Sequence, residues 1–278
     1  MIAARPEFMK WATEGLGGID GGNPFAPIWI CGLEWGRPKG EEEWYLPEVS
    51  KMTEYKETGL QIGKFWVPHM CHEERVKPPK TPRAMARLCL STLYDNEKRN
   101  MKWGEVFTDA ETGYCARAGD MFALNLYPIA FRSFDDSCWP KEVAARTGIM
   151  TKAAYREWCA DLESGRFAAL RDLLRICTNG TKVVLCTGTG TGTLDRFVRA
   201  FNPNIDTAEV RANSVVKLPY NNKRRGEFNV YWFPAAVDSC MVYVVPFLAR
   251  YGSGNLMAYA DLDDVGSWVR SRHFNVSC

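Results

Sequence analysis

Short apolar runs alternate with amphipathic segments along this chain. Four apolar runs bounded by proline or glycine predict buried β-strands, at residues 28–31, 121–129, 182–188 and 227–234. Apolar residues at helical spacing predict helices, over about 81–93, 151–178, 194–201, 238–251 and 261–272. No internal repeat or low-complexity linker interrupts the alternation. The pattern predicts a single three-layer α/β domain over residues 1–278, with a central, largely parallel sheet flanked by helices.

Composition restricts the class of protein further. The 278 residues are 46% hydrophobic and 24% charged, which is typical of a globular protein, and the formal net charge of +2 allows a nucleic-acid surface only as a local patch. Ten cysteines without a CxxC pair predict free thiols in a reducing compartment. No stretch reaches the roughly 18 apolar residues of a membrane span. We therefore expect a cytoplasmic protein with no membrane partner.

An acidic residue follows the first predicted strand, in Gly32-Leu33-Glu34-Trp35-Gly36. Open α/β sheets place their ligand crevices at the carboxyl ends of the strands, so Glu34 is a candidate catalytic carboxylate. The alternative is a solvated loop carboxylate, since more glutamates follow at 41–43. The other predicted strands end at 125–128, 186–188 and 233–234. In a parallel sheet all four ends would open on one edge and could share a pocket.

The order of these segments resembles the uracil-DNA glycosylase superfamily. In that family the first strand ends in a Gly-x-(Asp or Asn)-Pro turn that holds the catalytic group. Glu34 falls at the catalytic position, and Trp35 replaces the proline. The sequence "IGKFWVP" is similar to the segment whose phenylalanine stacks on the extruded base, which points to Phe65 and the adjacent Trp66. Asn125 in "FALNLYP" falls where the family has the asparagine that reads the base edge.

Two further segments decide how far the resemblance extends. The sequence "KPPKTPRAMARL" is similar to the proline-rich loop that grips the DNA backbone, and it leads into a predicted helix. The last motif of the family, a His-Pro-Ser turn, is where this chain departs. Its sequence "WFPAAV" offers Phe233 and Pro234, so the histidine that stabilises the departing base is absent or supplied elsewhere.

The resemblance implies a DNA glycosylase that flips out a base, hydrolyses its N-glycosidic bond and leaves an abasic site. A carboxylate such as Glu34 can stabilise the cationic sugar or orient the attacking water. Asn125 has a donor and an acceptor for a pyrimidine edge. The expected base-binding residues are aromatic: Phe65, Trp66, Trp35 and Phe233. The structural alternatives are that Phe65 belongs to the core and that Asn125 only forms a turn.

Basic residues cluster in the proline-rich loop and in "PYNNKRRGEF", which is typical of an exposed hairpin loop. Phosphate contacts from such patches give salt-dependent affinity for DNA without sequence preference. The candidate DNA-binding residues are Lys77, Lys80, Arg83, Lys223, Arg224 and Arg225. Each patch has the alternative of a solvated basic loop. We expect a monomer whose partner is DNA.

Two other signals indicate neither a metal nor a cofactor. The glycine-rich segment 187–193 follows a strand, but it lacks the Gly-Lys-Ser/Thr ending of a phosphate-binding loop. His69, Cys71 and His72 lie close together, but their spacing suits no common zinc site.

The substrate follows from where the chain departs from the uracil-specific members. The replaced proline, the missing histidine and the inserted stretch 37–61 favour a base that is larger than uracil or chemically different from it. Some bacterial members of the superfamily remove hypermodified cytosines from phage DNA, so we expect a modified pyrimidine such as glucosylated hydroxymethylcytosine and a role in antiviral defence. Three alternatives remain: a uracil-excising repair enzyme, a nucleotide-dependent α/β enzyme that uses the 187–193 loop, and a non-catalytic nucleic-acid-binding member of the fold.

Overall fold

The computed structural model describes most of the α/β framework. The described residues are 4–14, 17, 19–22, 24–33, 80–94, 121–129, 139–188, 192–221, 226–246 and 259–274. The helices are α1 Pro6–Thr13, α2 Lys80–Leu93, α3 Lys141–Thr147, α4 Lys152–Cys159, α5 Arg166–Cys177, α6 Thr193–Phe201, α7 Thr207–Asn213 and α8 Tyr259–His273. The strands are β1 Ile19–Gly22, β2 Ile28–Gly32, β3 Met121–Asn125, β4 Lys182–Thr187, β5 Val215–Pro219, β6 Glu227–Pro234 and β7 Cys240–Val245.

The strands form one seven-stranded sheet with the order β1-β3-β2-β4-β7-β6-β5. The four central strands β3, β2, β4 and β7 are parallel to one another. Antiparallel strands lie at the margins, β1 on one side and β6 and β5 on the other. The prediction of an α/β fold with a central, largely parallel sheet is confirmed, and the parallel part is the middle of the sheet.

The sheet is buried on both faces because successive side chains of a strand point to opposite sides. Trp29 and Cys31 pack on the face that is covered by α1 and by α3 to α7. Ile28 and Ile30 pack on the other face, against α2 and α8. The two helical layers and the sheet give the predicted three-layer arrangement. No helix in the described ranges is long and apolar enough to cross a membrane.

Two predicted helices differ from the structure. The segment 238–251 was expected to be helical, but Cys240–Val245 is the central strand β7. A short apolar run without a polar side fits a strand buried on both faces as well as it fits a buried helix, and its valines favour the strand. The predicted helix 151–178 is two helices, because Asp161 accepts hydrogen bonds from the backbone N–H groups of Glu163 and Ser164 and forms a turn between them.

Candidate functional site

The carboxyl ends of β2 and β3 lie side by side. Gly32 is in register with Asn125. Beyond the strands, the Leu126 N–H donates to the Gly32 carbonyl at 3.0 Å and the Tyr127 N–H donates to the Leu33 carbonyl at 2.8 Å. These bonds extend the pairing of the two segments as far as Leu33, the residue that precedes Glu34 in the sequence.

The side chain of Asn125 occupies the space beside Gly32. Asn125 is only 4% exposed. A Cβ atom added to Gly32 would overlap the Asn125 Oδ1 atom, so the amide leans across the strand end where Gly32 has no side chain. Glycine is needed here for close approach, because any other residue would displace the amide.

A hydroxyl lies on the other side of Gly32. Cys31 pairs with Cys186, so Gly32 and Thr187 come next in the same ladder. Because side chains alternate along each strand, Asn125, Gly32 and Thr187 all belong to the α2 and α8 face of the sheet. The structure thus brings an amide and a hydroxyl together in one row, with a glycine between them. We call these three residues the strand-end row.

On sequence alone, Thr187 is only the end of a predicted strand and the first residue of the glycine-rich segment 187–193. It is 4% exposed. Its neighbour on the other side is Val245 of β7, an apolar residue at the same level as the strand-end row. The signal that could have identified it is a hydroxyl at the carboxyl end of an otherwise apolar strand, where α/β sheets place their ligands.

The β5–β6 hairpin turns at the same edge of the sheet. In β6, Tyr231 lies opposite Val244 of β7, so the amino end of β6 lies at the carboxyl end of β7. Asn221, in the turn, donates from its backbone N–H and its Nδ2 to Asp261 Oδ1, at 2.7 and 3.0 Å. Its Nδ2 also donates to Asp264 at 2.9 Å. The predicted hairpin is therefore present, and its turn is fixed to the first turns of α8.

The start of α2 lies at this edge too. Arg87 donates to the Asp263 carboxylate from Nε and Nη2, both at 2.6 Å, and the Ser91 hydroxyl donates to the same carboxylate. One turn farther along both helices, Gly266 lies against Ser91. These contacts show that α2 and α8 run side by side in the same direction. Their amino ends therefore lie together, near the turn that Asn221 fixes.

The described residues include two of the candidate DNA-binding residues, both from the first basic patch. Lys80 and Arg83 belong to the first turn of α2, which begins close to where the sequence predicted a helix. The remaining candidates lie outside the described residues: Lys77, Lys223, Arg224 and Arg225. The described hairpin resumes at Gly226, so both ends of the basic loop are at this edge of the sheet.

Phe233 does not lie near the strand-end row. It pairs with Val242, which pairs with Val184, three residues before Thr187. At about 3.3 Å per residue along a strand and about 4.8 Å between strands, Phe233 is roughly 20 Å from Asn125. It is also 1% exposed and packs on the opposite face of the sheet.

The prediction that the 233–234 strand end shares the pocket is therefore wrong. The prediction requires four parallel strands, but β6 is antiparallel to β7. The connection 235–239 between these two strands is too short for a parallel pair, which needs a dozen or more residues. The strand end that takes the fourth place at this edge is Val245, followed by Pro246.

Other candidate residues lie outside the described residues: Glu34, Trp35, Phe65, Trp66, His69, Cys71 and His72. Their roles stay predictions. Among the described residues, no group of three or more His, Cys, Asp or Glu side chains is placed to hold a metal. The described cysteines are free and buried, in line with the expectation of free thiols: Cys31, Cys89, Cys159, Cys177, Cys186 and Cys240.

Two glycines shape the connection from β4 to α6. Gly188 has φ 123°, and its N–H donates to the Val245 carbonyl at 2.7 Å. Gly192, which caps α6, has φ 75°. Both backbone conformations favour glycine, so these two glycines of the 187–193 segment have a structural reason in the turn itself.

Two of the buried cationic side chains, Lys182 and Arg166, lie away from the strand-end row. Lys182, at the amino end of β4, donates to the carbonyls of Pro24 and Ala26, both at 2.8 Å, and its burial lowers its pKa to about 8. Arg166 is 1% exposed and donates from Nη1 to the Ala12 carbonyl at 2.5 Å. Its burial lowers its pKa to about 10. Both side chains bind backbone carbonyls and tie distant segments together, which no sequence pattern indicated.

Comparisons of the chain with protein-family models, with curated proteins and with solved structures find no match.

Proposed function

We propose that this chain is a DNA glycosylase that extrudes a base, hydrolyses its N-glycosidic bond and leaves an abasic site. The observation that carries the proposal is the pairing of Gly32 with Asn125, with the amide leaning across the glycine. These residues come from two segments far apart in the sequence that resemble the catalytic turn and the base-reading strand end of one superfamily. Their adjacency at a carboxyl edge of parallel strands is what a shared pocket requires.

Each residue has a distinct task in the proposed reaction. Glu34, directly after the paired Leu33, places negative charge near the sugar as the bond to the base breaks, or orients the attacking water. Asn125 holds the edge of the extruded base through its donor and acceptor. Phe65 or Trp66 supplies the aromatic surface on which the base stacks.

The arrangement of the basic segments supports DNA as the substrate. The first turn of α2, with Lys80 and Arg83, and the hairpin that leads into Lys223 start from the same edge as Asn125. Contacts from these two segments to the DNA backbone would hold the duplex while one nucleotide is turned out.

The proposed substrate is a modified pyrimidine in phage DNA, such as glucosylated hydroxymethylcytosine. The fourth strand end at this edge offers Val245 and Pro246. Neither side chain can donate a hydrogen bond to a departing base, in contrast to the histidine of the uracil-specific members. This difference favours a base other than uracil.

Mass spectrometry of released bases tests the proposal directly. The chain is incubated with duplexes that contain only ordinary bases, uracil, or glucosylated hydroxymethylcytosine, and Glu34→Gln is assayed in parallel. Release of the modified base by the wild type but not by Glu34→Gln supports the proposal. Release of uracil alone would make the chain a repair glycosylase. Salt-dependent DNA binding without release of any base would overturn the enzymatic proposal.

A further inference from the structure

We propose that Thr187 is a base-contacting residue that determines specificity, and that its hydroxyl and the Asn125 amide bind the same edge of the base across Gly32. The inference rests on the proposed glycosylase function and adds a second polar contact to it. It identifies the ligand edge as one that presents hydrogen-bond donors and acceptors side by side, as a pyrimidine does.

The spacing of the strand-end row carries the first step. Asn125 and Thr187 are on the two strands that flank β2, at the same level and on the same face. Their backbones are therefore about 10 Å apart, which is twice the strand spacing. Because the Asn125 amide already leans across Gly32, the gap that remains to Thr187 is about one strand spacing.

That gap matches one hydrogen-bonded ligand edge. Two hydrogen bonds of about 2.9 Å that meet at the edge of a planar ring span a distance of this size. A side chain at position 32 would displace the Asn125 amide, whereas glycine lets the amide lean toward Thr187. The ligand that we infer is therefore the rim of a flat heterocycle between the amide and the hydroxyl.

The hydrogen bonding of Thr187 carries the second step. The buried threonines Thr92 and Thr147 donate their hydroxyl protons to carbonyls four residues earlier in their helices. Thr187 is at the end of a strand and has no such carbonyl. In the part of the chain that the structure describes, no residue hydrogen-bonds to its hydroxyl, although Thr187 is only 4% exposed. The hydroxyl can therefore donate to a ligand group or accept from one without giving up a bond to a described residue.

The chemistry of the pair selects the ligand. An amide and a hydroxyl can each donate and accept, and neither is charged. They suit the ring nitrogen and the exocyclic group of a pyrimidine better than a phosphate or a carboxylate, which would call for a cation. Val245, next in the row and fully buried, adds an apolar neighbour.

The test compares Thr187→Val, which removes the hydroxyl at nearly constant shape, with Thr187→Ser, which keeps it. Single-turnover base release at saturating enzyme should fall at least about tenfold in Thr187→Val, the effect of one lost hydrogen bond to the base. Thr187→Ser should stay within about threefold of the wild type. The control is Thr178→Val, whose hydroxyl donates to the Leu174 carbonyl away from this edge, and which should release base at the wild-type rate.

Two readouts separate this inference from the proposed function. DNA affinity and the melting temperature should be the same in the Thr187 variants as in the wild type, since valine suits a strand. If Thr187→Val does not fold, Thr187→Ala is assayed in its place. A wild type that releases no base overturns the proposed function and this inference together. A wild type that releases base at the same rate as Thr187→Val overturns the role of Thr187 alone.

Discussion

The amide of Asn125 fills the space that Gly32 leaves empty, so the positions of the two residues depend on each other. The dependence is steric, because the two strand ends are neighbours in register and only one side chain fits between them. Local packing at this edge is therefore coupled to the base reading that we propose for Asn125.

Gly32→Ala should destabilise the protein by about 1–3 kcal/mol, the usual effect of forcing extra volume into a packed site. In an Asn125→Ala background the same substitution should be nearly neutral, because the overlapping amide is gone. Urea denaturation of the wild type, both single variants and the double variant measures the coupling. Additive effects would show that the cost of a side chain at position 32 does not come from the Asn125 amide.

Asn125→Ala should lower the rate of base release and reduce discrimination between bases, since an edge-reading amide both holds the right base and disfavours the wrong one. Discrimination is measured as the ratio of the single-turnover rates on the modified base and on uracil. The melting temperature of the same variant tests the structural alternative. A large loss of folded protein with an unchanged ratio would mean that Asn125 only forms a turn.

The two basic segments can be separated by salt titration. Replacing Lys77, Lys80 and Arg83 by alanine should weaken binding to all duplexes alike, and the slope of log affinity against log salt should flatten by about 0.9 per lost phosphate contact. Alanine at Lys223, Arg224 and Arg225 is the matched variant in the second basic segment. Base release at saturating enzyme should change far less than affinity. If only one triple variant alters the slope, that segment alone contacts the backbone.

Lys182 should make stability rise with pH over a narrow window. Its pKa is about 8 in the folded protein and 10.5 in the reference state, so above pH 8 the unfolded chain binds the extra proton and a rise in pH favours folding. From pH 8 to 9 the expected gain is about 1 kcal/mol. Above pH 9 the gain is opposed, because burial raises the pKa of Cys240 from 9.0 to about 12.

The measurement is the free energy of unfolding in urea at pH 7, 8 and 9, for the wild type and for Lys182→Met. The difference in the free energy of unfolding between the wild type and Lys182→Met should increase with pH by the amount that Lys182 contributes. Lys217→Met removes an exposed lysine of β5 and should leave the pH dependence unaltered. Parallel pH profiles of the wild type and Lys182→Met would mean that Lys182 stays protonated throughout.

The sequence predicted the central strands well because a parallel strand buried on both faces is a short, continuous apolar run. Ile28–Gly32 and Lys182–Thr187 lie where such runs predicted them. The run at Cys240–Val245 is equally apolar, but the apolar residues on either side of it continue a helical spacing, which predicts a helix where the structure has a strand. Without that strand, nothing indicated that β6 would be antiparallel to the central sheet.

The sequence predicted those residues of the candidate site that can be recognised from the strand in which they lie. Gly32 and Asn125 are each recognisable from the strand they end, and pairing in a parallel sheet brings them together. Phe233 was misplaced because an apolar run carries no information on strand direction. The role of Thr187 depends on which residue is its lateral neighbour, and the burial of Arg166 depends on a carbonyl of α1, so both require the tertiary structure.

The ion pair between Arg87 and Asp263 joins a helix from the first third of the chain to the last described helix. One whole face of the sheet, including Ile30 and Leu185, is covered by these two helices. During synthesis the sheet residues that pack against α8 stay exposed until α8 has left the ribosome, and exposed apolar surface of this kind is prone to aggregation. We expect a chain that stops before residue 259 to leave these residues uncovered by α8 and to aggregate.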